Sequence, residues 1–566
     1  SNDGTTASTP WLTWAHAFEN TNCGDTLMVM DGTYTATHGS MTLTKSCTAA
    51  APYTVRAQNE RQAFIAGDGS WVPLQVVASS YVVIEGLRAR SADKDPAAGG
   101  VNLGVMNVYT SNHVTLRRCL ASHPNRYRNA GHVVQMYQSQ HVLVEECEVY
   151  SFHRHGIYFG GGTSDSVARR NYCNPRDYPD IPGAENSGSP PGGDDCVLVY
   201  PGSNNIIENN IAEGPHLTKG FAVEALGAAV GNQFLGNVSL NAVIGIALDA
   251  RGASVEYMPR DTTVKDLVVV GAKTAGVRVD GNKNFVCRNC SVFDASGGVG
   301  DGFDIDRLTA QPGDGNYSAH IYDSLALNNA GRGFHVAAAV QTWSAVNVNA
   351  FGNAPEYSPA SNPHYDPLDT PLSTDPGLGT CRLWVPVGSP MKGAGQNGGD
   401  IGATVLYRYE NGALGTEPLW DPKTGKFPCG ATVEGVNDMA GSCFDVHERL
   451  NVGKNACAFP VGYDPGTGGS GAGGSGAGGS AGAIGSGGAG GGAGESGVAG
   501  AAGTASSGGS SGAGPRGSAS GGAGSAGATP AASSDDSGCG CRTTGGAGDR
   551  SWAILMALGL IARRRR

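Results

Sequence analysis

Short segments with hydrophobic residues at alternate positions recur along residues 1–353. Such alternation is typical of a β-strand with one buried face. One set of segments is spaced 25 to 39 residues apart, and each follows a small or turn residue that we call its opener. The openers are Gly156, Asp195, Gly220, Gly245, Gly276, Gly302 and Gly333. A second set of apolar runs begins near Asn112, Gln140, Asn204 and Asn284. Repeats of this length with few helical patterns predict a solenoid of stacked strands.

The uneven spacing of the openers decides which solenoid is predicted. A propeller needs blades of fixed length, whereas a parallel β-helix keeps its strands and lets its turns absorb insertions. At the N-terminus, a helix that covers the open end of the coil is predicted. Its apolar face is expected to comprise Trp11, Leu12, Ala15 and Phe18. We therefore predict an all-β protein, a single-stranded right-handed parallel β-helix with an N-terminal capping helix, over residues 1–353.

This pattern resembles the right-handed β-helix folds of secreted polysaccharide lyases and related carbohydrate-active proteins. The resemblance implies a fold and carries little chemistry by itself. Residues 354–463 change pattern and, through motifs such as Tyr407-Arg-Tyr-Glu-Asn-Gly, resemble the closing segment of bacterial β-helix proteins. That resemblance implies packing along the side of the coil. Two roles stay open for the aromatic residues of this segment, stacking on sugars or packing: Trp384, Tyr407, Tyr409 and Trp420.

Alignment on the openers sorts the side chains into columns along the predicted β-helix. The apolar residues one and three positions after the openers are predicted to face the core; they are Ile157, Phe159, Phe221, Val223, Ile246, Leu248, Val277, Val279, Phe303, Ile305, Phe334 and Val336. Four positions after the openers lie Glu224, Asp249, Asp280 and Asp306. Two positions after them lie Arg278, Asp304 and His335, and one position before them lie His155, Asp194 and Lys219.

The stacked carboxylates of Glu224, Asp249, Asp280 and Asp306, which we call the acidic ladder, need compensation. Like charges about 4.8 Å apart repel by roughly 1 kcal/mol per pair even in water. One interpretation is a Ca²⁺ site formed by these four residues, because Ca²⁺ accepts about six to eight oxygens in loose geometry. Pairing with neighbouring arginines such as Arg251 and Arg307 is an equal alternative, and a plain solvated surface is the third.

These columns supply the groups that a lyase for acidic polysaccharides needs. Cleavage by β-elimination requires neutralisation of the uronate carboxylate by Ca²⁺ or arginine, a base for the neighbouring proton, and a donor for the leaving oxygen. Arg251 and Arg278 are the candidates for neutralisation, and Lys219 or His335 is the candidate base. An acidic polysaccharide is therefore the predicted partner.

A second patch is predicted around Lys219. This residue is five positions from Glu224, about 16 Å along a strand, so one sugar unit would not touch both. The second patch comprises His153, His155, Asp194 and Lys219, with His155 and Asp194 as further catalytic candidates. The candidate substrate-binding residues are His153, Asp304 and Arg307.

Two other functions compete with the lyase. Gly193-Asp194-Asp195-Cys196 resembles the Asp-Asp-Cys segment of the polygalacturonase family, whose paired aspartates share acid and base work in hydrolysis. That family's other segments are missing at the expected distances, so a chance match in a turn is the better interpretation. The principal alternative is a non-catalytic surface adhesin or carbohydrate-binding scaffold, and a polygalacturonase-like hydrolase is the second.

The 14 cysteines favour disulfides and thus an oxidising compartment, because no second CxxC pair accompanies Cys287 and Cys290 to complete a zinc site. We predict a Cys173–Cys196 bridge and bridges among Cys381, Cys429, Cys443 and Cys457. Cys119 and Cys147 are predicted either to pair or to remain buried thiols. The chain starts at Ser1 without Met, so we expect a mature form whose signal peptide has been removed.

The C-terminal part differs in composition. Residues 466–550 hold 34 of the 90 glycines, so residues 464–538 are predicted to be a disordered linker. Cys539-Gly-Cys541, a short predicted hydrophobic helix at 552–562 and four terminal arginines resemble the MYXO-CTERM sorting signal of myxobacterial exported proteins. This resemblance implies that residues 539–566 attach an exported protein to the cell envelope, at the cell surface or outer membrane, with release after processing as an alternative. The net charge of −11 argues against nucleic acid as a partner. We expect a monomer.

Overall fold

Three parallel β-sheets of twelve strands each wind around a common core. Each coil contributes one strand to every sheet, so a strand pairs with the strand three places further along the chain. This confirms the predicted parallel β-helix. The computed structural model describes residues 2–92, 104–123, 132–152, 154–175, 193–214, 217–224, 229–249, 258–297, 299–306, 318–337, 340, 342–358, 371–438, 441–454 and 457–463.

The strands are numbered in chain order, and each sheet takes every third one. Sheet 1 consists of β1 (Thr26–Val29), β4 (Tyr53–Ala57), β7 (Ser80–Glu85), β10 (Asn112–Arg117), β13 (Leu143–Glu145), β16 (Val167–Arg169), β19 (Ile206–Glu208), β22 (Gln233–Leu235), β25 (Thr263–Lys265), β28 (Phe285–Arg288), β31 (Ser318–Tyr322) and β34 (Thr342–Val346). Sheet 2 consists of β2 (Gly32–Tyr34), β5 (Ala63–Ala66), β8 (Arg88–Arg90), β11 (Leu120–Ser122), β14 (Glu148–Tyr150), β17 (Tyr172–Asn174), β20 (Ile211–Glu213), β23 (Val238–Leu240), β26 (Val268–Val270), β29 (Ser291–Phe293), β32 (Leu325–Leu327) and β35 (Asn349–Phe351). Sheet 3 consists of β3 (Met41–Leu43), β6 (Leu74–Val77), β9 (Met106–Tyr109), β12 (Val134–Tyr137), β15 (His155–Ser164), β18 (Asp195–Ser203), β21 (Lys219–Glu224), β24 (Ile244–Asp249), β27 (Ala275–Asp280), β30 (Asp301–Asp306), β33 (Phe334–Val336) and β36 (Tyr357–Ser358).

The corner between sheets 1 and 2 is short and regular. Between β10 and β11 it contains only Arg118 and Cys119, and Arg118 has a φ of 55°. The same left-handed geometry recurs at Asn209, Asp266 and Asn289. Asn and Asp are the non-glycine residues that adopt it at least cost, and it turns the chain without a loop. Apart from the five residues between β4 and β5, insertions therefore fall at the other two corners, which explains the uneven spacing of the openers.

The inward columns predicted from the openers form the core, and all twelve of their residues are buried. Buried asparagines line the corner between sheets 1 and 2. The carboxamide oxygen of Asn210 accepts the backbone N–H of Asn171 at 3.0 Å, and that of Asn237 accepts the N–H of Asn210 at 2.9 Å. This ladder satisfies backbone donors that the sharp turn removes from the sheets.

The predicted capping helix is present, but its apolar face differs from the prediction. Helix α1 comprises Trp14–Glu19, and the Thr13 side chain accepts the backbone N–H of His16 at its N-terminus. The buried residues of α1 are Trp14, Ala17 and Phe18. Leu12 is 73 % exposed and Ala15 is also exposed. The predicted face is wrong there because the Thr13 cap starts the helix after Leu12 and turns Ala15 towards solvent.

The described residues between 371 and 463 pack on the outer face of sheet 2, where they form a second hydrophobic core. Strand β37 (Tyr407–Glu410) pairs antiparallel with β38 (Ala413–Pro418), and helix α2 spans Val446–Arg449. Trp384, Tyr409 and Trp420 are buried in this core, and Tyr407 is half-buried at its edge. Of the two roles open for these aromatic residues, packing is the one that the structure shows.

Five disulfides cross-link the described residues: Cys23–Cys47, Cys173–Cys196, Cys287–Cys290, Cys381–Cys457 and Cys429–Cys443. The predicted Cys173–Cys196 bridge is confirmed, and the four C-terminal cysteines pair among themselves as predicted. Cys119 and Cys147 are buried free thiols on neighbouring coils. The backbone N–H of Cys119 donates to the Cys147 sulfur at 3.3 Å.

Residues 464–566, with the predicted linker and sorting signal, lie outside the described residues. Within the part of the chain that the structure describes, no helix combines the length and the apolar character needed to cross a membrane.

Candidate functional site

The outer face of sheet 3 carries three columns of side chains. Strand register places His155, Asp195 and Lys219 in the first column. The second column contains Tyr158, Leu198, Ala222, Ala247, Arg278, Asp304 and His335. The third contains Tyr109, Tyr137, Gly160 and Tyr200 on earlier coils, and the acidic ladder on later ones. The predicted stacking of Arg278, Asp304 and His335, and that of the ladder, are confirmed as register.

The sequence alignment is wrong by one residue at β18. Asp195, rather than Asp194, lies between His155 and Lys219 in the register. The reason is that Cys196 occupies the position that glycine openers occupy elsewhere, where its side chain enters the core and bonds to Cys173. Asp194 lies just before the strand and is exposed.

Lys219 joins the first and third columns. Its Nζ lies 3.4 Å from Asp195 Oδ1 and forms an ion pair with Glu224. Asp195 Oδ2 lies 3.2 Å from His155 Nδ1, and the Asp195 side chain is completely buried. The predicted gap between Lys219 and Glu224 is closed because the two side chains extend along the strand towards each other. The two predicted patches are therefore continuous.

Burial and charge perturb the titration of this group. Burial opposes the charge of Lys219, but the carboxylates of Asp195 and Glu224 outweigh it and raise the pKa of Lys219. Burial also opposes the charge of Asp195, and Lys219 and His155 outweigh it, so the pKa of Asp195 is lowered. Burial and the nearby charge of Asp195 raise the pKa of Glu224. Lys219 thus stays protonated at neutral pH, which argues against its predicted role as a base.

The acidic ladder is partly neutralised by protein cations. Glu224 pairs with Lys219, and Arg278 Nε donates to Asp280 Oδ2 at 3.0 Å. The ladder extends over three coil spacings, about 14 Å. All four of its residues are described, and no three of them bring ligand atoms within 4.8 Å of one another. Ca²⁺ needs about six to eight oxygens around it, so the ladder does not fit a shared calcium site. The geometry shows cationic partners for Glu224 and Asp280, one a lysine and one an arginine, whereas Arg251 and Arg307, the arginines named for this alternative, lie outside the described residues.

A charged group lies at the C-terminal end of the columns. His335 Nδ1 is 2.7 Å from Asp304 Oδ1, and Arg332 Nε donates to Asp301 Oδ1 at 3.1 Å. Burial opposes the charge of Asp304, but its hydrogen bond to His335 and the nearby arginines outweigh it and lower the pKa of Asp304. An ionised Asp304 accepts the Nδ1 proton of His335, which leaves Nε2 as the basic nitrogen.

Sequence reasoning missed Asp301 and Arg332. Each stands one position before an opener, Gly302 and Gly333, so extension of the first column beyond Lys219 finds both. It also missed an aromatic group on earlier coils, because the shifted alignment put Val199 where the register places Tyr200.

Of the other predicted residues, His153, Arg251 and Arg307 lie outside the described residues. The described candidates all belong to the outer face of sheet 3 or its margin, since Asp194 directly precedes β18.

Comparison with protein families identifies the fold. A model described as "Right handed beta helix region" matches residues 74–355, in agreement with the predicted handedness. A comparison with curated protein sequences gives no match.

Several solved structures are similar to this chain at low sequence identity. A point mutant of the PL6 family alginate lyase AlyGC is 13% identical, with 63% of this chain and 52% of that chain covered and a TM-score of 0.43. Pectate lyase Pel9A is 16% identical, with coverages of 71% and 92% and a TM-score of 0.40. The catalytic domain of a GH87 alpha-1,3-glucanase in complex with nigerose is 13% identical, with coverages of 62% and 64% and a TM-score of 0.42. The chain spans about half the length of the first of these proteins.

Proposed function

We propose that sheet 3 binds an acidic polysaccharide and cleaves it by β-elimination at the Asp304–His335 pair. The observation that carries the proposal is the 2.7 Å contact between His335 Nδ1 and Asp304 Oδ1. A carboxylate that holds the Nδ1 proton fixes the imidazole tautomer and orients Nε2 to take a proton. Both side chains keep about one-sixth of their surface exposed, at 17% for His335 and 16% for Asp304.

Arg278 supports the choice of an acidic substrate. Its Nε is bonded to Asp280, and its side chain is 27% exposed. The other guanidinium donors suit a bidentate contact with a carboxylate. Arg278 lies two coils from His335 in the second column, about 10 Å along the helix axis. A single uronate unit can therefore contact both residues, because the long side chain of Arg278 covers part of the distance.

In the proposed step, His335 Nε2 removes the proton on the carbon next to the uronate carboxylate. The bond between the neighbouring carbon and the leaving sugar oxygen breaks, and a carbon–carbon double bond forms. Arg278 offsets the negative charge that grows on the carboxylate during proton removal. The proton taken by His335 passes to the leaving oxygen, so atoms and charge balance.

We assign a binding role to Lys219 and its ion-pair partners Asp195 and Glu224. A lysine that stays protonated attracts the negative charges of the polymer without accepting a proton. Asp195 is completely buried and paired with both His155 and Lys219, an arrangement that opposes its use as an acid or base in polygalacturonase-like hydrolysis.

The proposal includes an extracellular setting. Five disulfides among the described residues suit an oxidising compartment. The resemblance of residues 539–566 to a sorting signal supports export and attachment to the cell envelope, with the glycine-rich linker as a tether. A monomer tethered in this way would act on polysaccharide outside the cell.

The test is an assay for unsaturated sugar ends with the purified protein on pectate, alginate and glycosaminoglycans. We expect new unsaturated sugar ends on at least one polymer, both in the presence and in the absence of Ca²⁺. His335→Ala should lower the rate by about 10³-fold and Asp304→Asn by about 10²-fold, in line with the loss of general base catalysis. His320→Ala is the matched control, because His320 lies on sheet 1 and contacts Ser344.

Three outcomes would overturn the proposal. New reducing ends without unsaturation would identify a hydrolase. Binding without cleavage of any polymer would identify a scaffold or adhesin. An unchanged rate in His335→Ala would place the base elsewhere.

A further inference from the structure

The geometry points to a second binding region on sheet 3, a platform of tyrosine rings that stacks on uncharged sugar units of the same polysaccharide. The platform consists of Tyr109, Tyr137, Tyr158 and Tyr200 on the consecutive strands β9, β12, β15 and β18. The inference rests on the proposed function for the reacting end of the chain, but its own test needs no cleavage.

A glycine bulge in β15 builds the platform. The register shifts between Gly160 and Thr163. A Cβ at Gly160 would lie 2.2 Å from the Tyr158 ring, and one at Gly161 would lie 2.7 Å from the Tyr137 ring. The two rings therefore occupy space that the side chain of any larger residue at Gly160 or Gly161 would take. The Tyr158 ring fills the place in the third column that Gly160 leaves empty.

Other contacts hold the rings in position. Tyr158 donates its hydroxyl to the Tyr200 carbonyl at 3.1 Å, and its ring stacks on His132 with centroids 3.9 Å apart. Tyr109 and Tyr137 have centroids 5.7 Å apart. Tyr158 is nearly buried and acts as the anchor, whereas Tyr109, Tyr137 and Tyr200 are half-buried and present their rings.

The platform and the proposed reacting end share the second column of sheet 3. After Tyr158, the second column runs through Leu198, Ala222 and Ala247 before it reaches Arg278. These side chains are small or apolar and are buried, and the ion pair of Lys219 with Glu224 lies on the same strand as Ala222. On the coils of the platform, the second and third columns contain no charged residue among those described.

That division of charge defines the ligand. Aromatic rings bind the C–H faces of sugars by dispersion and need no charge on them. Carboxylates over the platform would meet no cation in these two columns, and Arg154, whose charge acts on Tyr158, lies outside them. A uronate at the other end would meet Arg278 within the second column. We therefore commit to uncharged or esterified pyranose units over the tyrosines and a uronate at the reacting end.

The spacing sets the length of the occupant. Tyr200 lies five coils before His335 and Tyr109 lies eight coils before it, about 24 Å and 38 Å at about 4.8 Å per coil. One coil advances about as far as one sugar unit of an extended chain. Chains of about six units should reach Tyr200, and about nine units should cover the whole platform.

The test is affinity electrophoresis of the full chain in gels that contain hydroxyethylcellulose, highly methyl-esterified pectin or polygalacturonate, on the His335→Ala background. We expect retardation by the neutral or esterified polymer, weakened at least about tenfold in Tyr137→Leu/Tyr200→Leu. Leucine keeps the apolar packing and removes the flat ring, and circular dichroism checks that the variant folds. Tyr81→Leu is the matched control, because Tyr81 stacks on His113 in a different part of the coil.

Each outcome decides between the two proposals. Equal retardation of the double variant and the control, or no retardation by either the neutral or the esterified gel, overturns the platform. Ring-dependent binding in a protein that cleaves no polymer overturns the lyase and keeps the platform. Cleavage whose rate is independent of chain length between about five and nine units keeps the lyase and overturns the platform.

Discussion

The buried carboxyl of Asp266 should make the stability of the β-helix depend on pH. Asp266 stands at the corner between sheets 1 and 2, where the C-terminal segment covers it. The Tyr409 hydroxyl donates to its Oδ2 at 2.5 Å, and the Thr404 backbone N–H donates to its Oδ1 at 3.3 Å. These bonds favour the carboxylate, but burial outweighs them and raises the pKa of Asp266 to about 6.

The sign of the effect follows from proton uptake. Between the unfolded pKa of 3.8 and the folded value of about 6, the folded protein holds a proton that the unfolded chain has lost. The stability that Asp266 contributes is therefore fully present below the unfolded pKa of 3.8 and is lost as the pH rises through the folded pKa of about 6. A shift of about 2 units corresponds to about 3 kcal/mol.

Asp266→Asn tests this reasoning, because asparagine stays neutral and still offers an oxygen to Tyr409. The free energy of unfolding of the variant minus that of the wild type should rise by about 2.5 kcal/mol from about pH 4 to about pH 8. Urea unfolding at several pH values, followed by tryptophan fluorescence, measures the difference. Asp438→Asn, an exposed position, is the control for the loss of one charge. A difference that stays constant with pH would refute the assignment of a raised pKa to Asp266.

Two further substitutions probe the packing of the coils. Gly245→Ala would put a Cβ 2.5 Å from a backbone carbonyl of the next coil. This substitution should destabilise the fold by about 2 kcal/mol or more. An unchanged melting temperature would mean that the coils can separate at this position. Arg61→Ala leaves the buried Glu148 without its ion-pair partner and should lower the free energy of unfolding by about 3 to 5 kcal/mol. The double variant Arg61→Met/Glu148→Gln should recover part of that loss. Equal destabilisation of the two variants would contradict this account.

Much of the coil could be predicted from sequence because its repeat is local. An inward residue keeps the same offset from its opener in every coil, so Phe221 and Phe303 identify the same core column although 82 residues separate them. The outward residues between them inherit the register, which is how Asp304 and His335 could be placed on neighbouring coils. Insertions at the corners lengthen the repeat without a change in these offsets.

The parts of the site that were missed depend on contacts between coils. Asp195 was assigned to the wrong column because a disulfide-bonded cysteine, Cys196, replaces the expected glycine. The stack of His132 on Tyr158 joins residues on different coils at a place where the loop lengths differ. Neither contact has a fixed sequence spacing, so alternation alone could not find it.

The distribution of apolar residues on the outer faces explains why function is proposed on sheet 3. In sheet 2, strands such as Leu120–Ser122 and Val268–Val270 also carry apolar residues on the outer face, and these residues contribute to the second core. Left in water, such a continuous apolar face would be a site of association, and the C-terminal segment covers it. The outer face of sheet 3 instead carries ionised and aromatic columns, whose burial without polar partners would cost several kcal/mol for each charge. The same coil thus separates a face that must be covered for stability from a face whose charges and rings can meet a ligand.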